Sequence, residues 1–223
     1  MISVAIDGPA GAGKSSVAKL AAKKLGYIYV DTGALYRTVG LKFSRLGFDT
    51  DLNCDIEKIL SDTQIEMAFV NGEQRVFLDN EDVSDLIRTP QASMMASAVS
   101  AKPPVRAFLL EMQRKIAREN NILMDGRDIG TVVLPNATVK IFLTASPEER
   151  ANRRYKELIE KGMDVSYDDI YNDICTRDYN DSHREIAPLK PAEDSVLADT
   201  TGNTVEESAN MILNIINERL QGK

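Results

Sequence analysis

A glycine-rich loop near the amino terminus constrains this sequence more than any other feature. Residues 8–15 read Gly-Pro-Ala-Gly-Ala-Gly-Lys-Ser, which fits the pattern G-x-x-x-x-G-K-[ST]. An apolar run, Ile2–Asp7, precedes the loop and a helical pattern, Ser15–Leu25, follows it. In this context glycines let backbone N–H groups surround a phosphate at a helix N-terminus. The sequence therefore predicts a phosphate-binding loop formed by Gly8, Pro9, Ala10, Gly11, Ala12, Gly13, Lys14, Ser15 and Ser16.

The residue types at the end of this loop indicate what it binds. A lysine at the position of Lys14 neutralises the β- and γ-phosphate oxygens of a nucleoside triphosphate, and a hydroxyl at the position of Ser15 ligates Mg²⁺. The helix that follows adds the partial positive charge of its N-terminus. We therefore expect ATP with Mg²⁺ at this loop, and we expect the protein to move the terminal phosphoryl group.

The order of apolar and helical segments predicts the fold class. Short β-rich runs alternate with longer helical patterns, as is typical of a parallel sheet covered by helices on both faces. The β-rich runs are Ile2–Asp7, Tyr27–Val30, Ile122–Asp125, Val139–Leu143 and Val196–Ala198. The sequence therefore predicts an α/β fold with a parallel-sheet P-loop NTPase core. A chain of 223 residues has room for one such domain and a small inserted module.

One segment interrupts the alternation of strands and helices. Gln64–Val70 and Gln74–Asp79 alternate apolar and polar residues around Asn71-Gly72, which is the strongest short hairpin signal in a sequence. We therefore predict a small antiparallel β insert at about residues 63–104, ending at the break Lys102-Pro103-Pro104. The core then consists of residues 1–62 and 105–223.

Capping residues predict where several helices begin. Ser146-Pro147-Glu148-Glu149 combines an N-cap, a first-turn proline and a capping-box glutamate, and Thr204 with Glu207 repeats the box. Thr32 is interpreted as the N-cap of the helical segment Leu35–Leu46. The tripeptide that contains it, Asp-Thr-Gly, also occurs in aspartic proteases, which require two such carboxylates. This chain holds one copy, so the protease interpretation is not favoured.

Composition excludes several other classes of function. The chain has 27 Lys and Arg against 34 Asp and Glu, a net charge of −7, which disfavours binding to a nucleic acid polymer. Cys54 and Cys175 lack the spacing of a disulfide framework or a zinc site and are predicted to be reduced thiols. His183, the only histidine, is interpreted as a surface residue. With no basic leader and no apolar stretch of ~18 residues, the protein is expected to be cytoplasmic and not membrane-bound.

Charged residues outside the loop indicate a second phosphate site. Asp125 ends an apolar run and is followed by Gly126-Arg127-Asp128, so it is expected at the carboxyl end of a central strand. There it can help hold Mg²⁺, directly or through water, or it can simply cap a turn. Helical spacing also groups Arg150, Arg153 and Arg154, and likewise Arg177, Asp181 and Arg184. Alone, each stripe would be a solvated face; beside a phosphate loop, the arginines fit a second phosphate group.

Four motifs together match a known family. They are Ile6-Asp7-Gly8-Pro9, Asp31-Thr32-Gly33-Ala34-Leu35-Tyr36-Arg37, Asp125-Gly126-Arg127-Asp128-Ile129-Gly130-Thr131, and Arg177-Asp178 through Asp181 to Arg184. On these motifs the sequence resembles the bacterial-type cytidylate kinases, which are P-loop nucleoside monophosphate kinases, over nearly its full length. The resemblance implies that the insert binds the nucleoside monophosphate and that residues at about 148–165 form a short helical lid.

The resemblance also implies a reaction and the residues that perform it. The γ-phosphoryl group of Mg-ATP would pass to CMP and dCMP, forming CDP or dCDP and ADP. The catalytic residues implied are Lys14, Asp125, Arg127, Arg153 and Arg154. By the same resemblance, the cytosine edge would be recognised by Ser97, Arg106 and Asp128, with Ser100 as the alternative to Ser97. The sugar would be contacted by Arg177 and Asp181, and the acceptor phosphate would be held by Arg37, Arg127 and Arg184. The acceptor site would be completed by Thr32 and Tyr36.

Two other functions are compatible with a phosphate loop. A kinase of the same architecture would act on another small acceptor, such as UMP or shikimate. A non-catalytic nucleotide-binding switch would bind a partner protein and leave Arg37, Arg127 and Arg184 unexplained. The favoured interpretation is a monomeric enzyme whose partners are ATP and CMP or dCMP.

Overall fold

A computed structural model describes residues 1–70 and 73–222 of the chain. Contacts between residues divide it into two compact units, Met1–Ile28 with Asn120–Lys223, and Tyr29–Glu119. We call them the first and second unit. The strands are β1 (Ser3–Asp7), β2 (Ile28–Asp31), β3 (Ile65–Val70), β4 (Glu73–Leu78), β5 (Glu81–Asp82), β6 (Ile122–Gly126), β7 (Val139–Thr144) and β8 (Val196–Asp199). The helices are α1 (Lys14–Leu25), α2 (Thr32–Arg45), α3 (Ile56–Ser61), α4 (Pro90–Ser100), α5 (Pro103–Glu119), α6 (Pro147–Glu160), α7 (Tyr167–His183) and α8 (Val205–Gln221), with a π-helical segment at Ile129–Val133.

The larger sheet confirms the predicted parallel core. Its strand order is β2-β6-β1-β7-β8, and β1 pairs in parallel with β6 on one side and β7 on the other. β2 joins it through Ile28, whose N–H donates to the Asn121 carbonyl at 2.9 Å. The centre of β1 has no exposed side chain at Val4, Ala5 or Ile6. Burial on both faces explains why the predicted β runs were nearly continuous apolar segments.

The smaller sheet confirms the predicted antiparallel hairpin. β3 pairs with β4 from Ile65 opposite Leu78 to Val70 opposite Glu73, and β5 lies on the other side of β4. The turn predicted at Asn71-Gly72 lies outside the described residues. All three strands fall within the predicted insert at residues 63–104, whose boundaries remain a prediction.

A separate apolar core holds the second unit together. It joins α2, α4 and α5 to the small sheet through buried side chains that include Leu35, Phe43, Val76 and Leu109. α2 and α4 approach closely at Gly40, where a Cβ atom would lie 2.8 Å from that of Met95. This packing fixes the two helices that carry most of the predicted acceptor residues of this unit.

One predicted helix start and one predicted capping box need correction. The N-cap of α2 is Asp31, whose side chain accepts from the Ala34 N–H at 3.0 Å, so Thr32 is the first helical residue and not the cap. At α6, Ser146 caps as predicted by accepting from the Glu149 N–H at 3.2 Å. The expected box does not form there, because the Glu149 carboxylate accepts from Arg153 and the Ser146 N–H donates to Thr201. The box of Thr204 and Glu207 is confirmed.

The sequence also led to expectations about membrane spans and about the two cysteines. No helix in residues 1–70 and 73–222 has the length and apolar character to cross a membrane. Cys54 and Cys175 are both free and half-buried, as the sequence predicted.

Candidate active site

The phosphate loop connects β1 to α1 and contains backbone conformations that favour glycine. Gly13 caps α1 with a φ of 82°, and Gly8 has a φ of 150°. A Cβ atom on Gly8 would lie 1.9 Å from the Leu143 carbonyl oxygen, which belongs to the neighbouring strand β7. Gly13 therefore disfavours a larger residue because of its backbone conformation, and Gly8 because of both its backbone conformation and the lack of space for a side chain.

Lys14 is buried in the centre of this loop. Its Nζ donates to the Pro9 carbonyl oxygen at 2.7 Å, and its side chain is 6 % exposed. Burial and the nearby Arg127 lower the pKa of Lys14, Asp125 and Asp7 oppose both effects, and the resulting pKa is about 7. A positive charge held in so little water is stabilised when an anion enters the loop. This is the electrostatic condition expected of a phosphate-binding lysine.

Ser15 and Asp125 form the candidate metal site. The Ser15 hydroxyl donates to Asp125 Oδ2 at 2.8 Å, and the Asp125 side chain is 3 % exposed. One hydroxyl and one carboxylate fit the way Mg²⁺ binds in phosphoryl-transfer sites, where water and substrate phosphates supply the other ligands. Within residues 1–70 and 73–222 no cluster of three carboxylate, histidine or cysteine side chains forms an all-protein metal cage. The two residues predicted to bind Mg²⁺ are therefore adjacent and chemically suitable.

Arg150 joins the phosphate loop to α7, a role that the sequence did not reveal. Its guanidinium donates to the Ala10 carbonyl at 2.9 Å, to the Ala145 carbonyl at 2.9 Å and to both carboxylate oxygens of Asp178. The side chain is 3 % exposed. The helical spacing placed Arg150 in the same stripe as Arg153 and Arg154, but spacing alone does not show which arginine is buried.

Arg153 and Arg154 occupy different surroundings. Arg153 donates to the Thr200 carbonyl at 2.7 Å and the Asn203 carbonyl at 3.3 Å, and its Nη1 would lie 3.6 Å from a Cβ atom placed on Gly13. Arg154 is more exposed and pairs with Glu157 one turn along α6. Arg153 is therefore already directed to the loop between β8 and α8 and to the phosphate loop, whereas Arg154 forms its ion pair with a residue of its own helix.

A cluster of arginines and carboxylates forms within the first unit. Arg127 donates to Asp181 Oδ2 at 2.9 Å, and the guanidinium of Arg184 lies 3.6 Å from Asp128 Oδ1 and 3.9 Å from Asp181 Oδ1. Burial lowers the pKa of Arg177, and Arg127 adds to this effect by repulsion. The guanidinium groups of Arg127, Arg177 and Arg184 thus lie close to Asp128 and Asp181. Guanidinium groups held in place in this way are suited to binding a phosphate.

The second unit holds the other predicted acceptor residues. Arg37 donates to Asp31 Oδ2 at 2.7 Å, while its buried Nε has no hydrogen-bond partner among the residues that the structure describes. Gln74, on β4, fixes the backbone of Asp31: its Oε1 accepts from the Asp31 N–H at 2.8 Å and its Nε2 donates to the Asp31 carbonyl at 3.2 Å. Gln74 was not predicted, because it lies 43 residues away in the sequence. Arg37 is thus oriented at the start of α2 by residues of the small sheet.

Tyr36 and Arg106 lie together in the same unit. The Arg106 guanidinium stands 5.8 Å from the centre of the Tyr36 ring and donates to the Ser100 carbonyl at 3.4 Å. The Ser100 hydroxyl donates in turn to the Ser97 carbonyl at 2.9 Å, which leaves the Ser97 hydroxyl outside that bond. Both serines are half-buried, so the choice between them remains a prediction.

Comparison with known proteins connects this site to a family. The family described as cytidylate kinase matches residues 4–218 of the chain. A cytidylate kinase of Carboxydothermus hydrogenoformans is 50% identical over 216 residues, which is 97% of each chain. One of Ligilactobacillus salivarius is 52% identical over 218 residues, covering 98% of this chain and 97% of that protein. A crystal structure of an uncharacterized protein from Eubacterium ventriosum has a TM-score of 0.54 at 12% identity, covering 97% and 99% of the two chains; this likeness concerns the fold alone.

Proposed function

The chain belongs to the cytidylate kinase family, and we propose that it transfers the γ-phosphoryl group of ATP to CMP with the residues described above. It is an ATP-dependent phosphotransferase. The observation that carries the proposal is the arrangement of positive charge in the first unit. Arg127 in the arginine cluster lies close enough to Lys14 in the phosphate loop to lower its pKa by repulsion. This is expected of two cations that stabilise the negative charge of the same transferred phosphoryl group.

The chemistry required of the protein is positioning and charge stabilisation. A CMP phosphate oxygen is already an anionic nucleophile, so in-line attack on the γ-phosphorus needs no general base, in agreement with the lone His183 lying exposed on α7. Lys14 and Arg153 stabilise the negative charge that spreads over the equatorial oxygens. Arg154 adds to this when the lid at about residues 148–165 covers ATP and excludes water.

Mg²⁺ is the metal we propose for this site. Ser15 and Asp125 would hold it, Asp125 directly or through a water molecule. When bound, Mg²⁺ would neutralise part of the charge on the phosphate oxygens of ATP. The chain itself supplies the buried carboxylate and the hydroxyl, which hold each other in place by their hydrogen bond.

Recognition of the acceptor is proposed for three sets of residues. Arg106 and Asp128 supply a guanidinium and a carboxylate to the cytosine edge, together with Ser97 or Ser100. Arg177 and Asp181 bind the sugar, and Arg37, Arg127 and Arg184 bind the phosphate. Thr32 and Tyr36 complete the set, Tyr36 by its contact with Arg106. The burial of Asp128 to 4 % exposure supports its proposed role, because a hydrogen bond between buried polar groups discriminates strongly against a base that lacks the partner group.

Several finer properties belong to the same proposal. dCMP is a second acceptor, the active form is a monomer in the cytoplasm, and nucleic acid polymers are not bound. The insert at about residues 63–104 is the module that binds the monophosphate. Of the two alternative functions, neither the kinase of a different small acceptor nor the non-catalytic switch is favoured by the relatives of the chain.

Asp128→Ala tests the proposed recognition of cytosine. We expect kcat/KM for CMP to fall by about 10–100-fold, as for loss of a buried hydrogen bond to a charged group, while KM for ATP changes little. The preference for CMP over UMP and AMP should shrink by a similar factor, because Asp128 would bond the amino group of cytosine. An unchanged ranking of the three monophosphates would remove Asp128 from base recognition.

A further inference from the structure

Asp7 is a buried carboxylate to which the mechanism above gives no role. It is the last residue of β1, directly before the phosphate loop, and its side chain is 4 % exposed. Burial raises the pKa of Asp7, two backbone hydrogen bonds partly offset this rise, and the resulting pKa is about 6. An ionisable group kept in so little water reduces stability unless it makes specific bonds. The position of Asp7 therefore calls for a structural or functional reason.

The bonds of Asp7 all go to one short segment. Its Oδ1 accepts from the Ile129 N–H and its Oδ2 from the Gly130 N–H, each at 2.7 Å. Gly130 makes this approach possible, since a Cβ atom there would lie 3.3 Å from Asp7 Oδ2. The two N–H groups are the first of the π-helical segment, where backbone donors lack partners within the helix. The carboxylate thus fixes the start of that segment.

The bonded segment closes a loop that carries two proposed acceptor residues. We call Gly126–Gly130 the acceptor loop; it contains Arg127 and Asp128. At its beginning Gly126 pairs with Asp7 in the parallel sheet, and at its end Ile129 and Gly130 bond to the side chain of Asp7. Both ends of the acceptor loop are therefore held by the same residue.

We propose that Asp7 is a positioning residue for the acceptor: its carboxylate clamps the acceptor loop so that Arg127 and Asp128 are directed toward bound CMP. This proposal rests on the proposed roles of those two residues. The phosphate loop does not depend on these bonds, because Lys14 is held by the Pro9 carbonyl. Asp7 also lies close enough to Lys14 to act on its charge. Removing the negative charge of Asp7 takes away its support for charged Lys14 and also its repulsion of a triphosphate, so the two effects on ATP binding oppose each other.

Asp7→Asn is the direct test. Asparagine has the same shape, but it keeps one acceptor oxygen and turns an NH₂ group toward the second N–H, so the clamp is broken on one side. We expect Kd for CMP to rise about tenfold by calorimetry, as for one lost hydrogen bond. Kd for a non-hydrolysable ATP analogue should stay within about twofold or decrease. Ile216→Ala, which removes a fully buried side chain of α8, controls for loss of stability.

A double-variant cycle separates positioning from general destabilisation. If Asp7 acts in part through Asp128, adding Asp7→Asn to Asp128→Ala should weaken CMP binding by less than about tenfold, because one of the two residues that it positions is already absent. Additive effects in the cycle would overturn the proposal, as would equal weakening of CMP and the ATP analogue, or the same change in CMP affinity in Ile216→Ala. Failure of the proposed function is seen separately, as a wild-type protein that does not phosphorylate CMP.

Discussion

Replacement of Arg150 by methionine tests the buried connection between the phosphate loop and α7. Methionine keeps most of the apolar volume of the side chain and removes its donors. The variant therefore leaves the Asp178 carboxylate without its partner and two carbonyl oxygens, those of Ala10 and Ala145, without a donor. These groups lie in the same small region, and none of them can be satisfied by the new side chain.

The expected loss of stability follows from burial. Breaking a buried ion pair costs about 3–5 kcal/mol, and we take about 3 kcal/mol because Asp178 retains 25 % exposure and some access to water. For a chain of this length each kcal/mol lowers Tm by about 2–4 °C, so Tm should fall by about 6–12 °C. Arg154→Met on the same helix is the matched control: its ion pair with Glu157 is 34 % and 45 % exposed, and it should shift Tm by about 1 °C.

Urea unfolding and thermal scans of the two variants measure these values. Adding Asp178→Leu to Arg150→Met should recover part of the loss, because the unpaired carboxylate is then absent. A fall in Tm of less than about 2 °C for Arg150→Met would contradict the claim that the buried bonds of Arg150 stabilise the protein. So would equal falls for Arg150→Met and Arg154→Met, because the difference in burial would then have no effect.

Three further predictions concern residues in or beside the phosphate loop. Gly8→Ala places a Cβ atom against a backbone carbonyl that cannot rotate away, so the free energy of unfolding should fall by more than about 3 kcal/mol in urea; a loss below about 1 kcal/mol would contradict this. Lys14→Ala should reduce kcat about 100-fold or more in a coupled ADP assay, with Tm no lower than that of the wild type, since a buried ammonium is removed; wild-type turnover would exclude Lys14 from the mechanism. Because the folded-state pKa of Asp7 is raised to about 6 from 3.8, the native state binds the extra proton, and stability is lost as pH rises through that window. Relative to Asp7→Asn, the free energy of unfolding of the wild type, measured in urea, should therefore fall by about 2 kcal/mol between pH ~4.5 and ~7. If the free energies of unfolding of the two proteins changed in parallel with pH, Asp7 would not titrate in this way.

The sheets and most helix starts were predictable because local patterns determine them. The predicted parallel strands agree with the observed ones within about two residues, since strands buried on both faces are apolar throughout. The start of α2 was wrong by one residue because Asp31 and Thr32 are both good caps, and only the bond to the Ala34 N–H decides between them.

The site was less predictable because its supporting residues act across long sequence distances. Asp7 bonds to Ile129, 122 residues further along the chain, and Arg150 bonds to Ala10, 140 residues before it. A charged residue that ends an apolar strand, as Asp7 and Asp125 both do, is the local signal that could have drawn attention to Asp7. Spacing on a helix gave equal weight to Arg150 and Arg154, although one is buried and the other is not.

A coupled assay of ADP release tests the proposed function most directly. The purified chain, ATP and Mg²⁺ are combined in turn with CMP, dCMP, UMP, AMP and shikimate, and kcat/KM is determined for each acceptor. We expect that CMP gives the highest kcat/KM, that dCMP follows, and that Asp128→Ala narrows the difference in kcat/KM between CMP and UMP. A higher kcat/KM for UMP, AMP or shikimate, or no ADP release above the rate without acceptor, would contradict the proposed function.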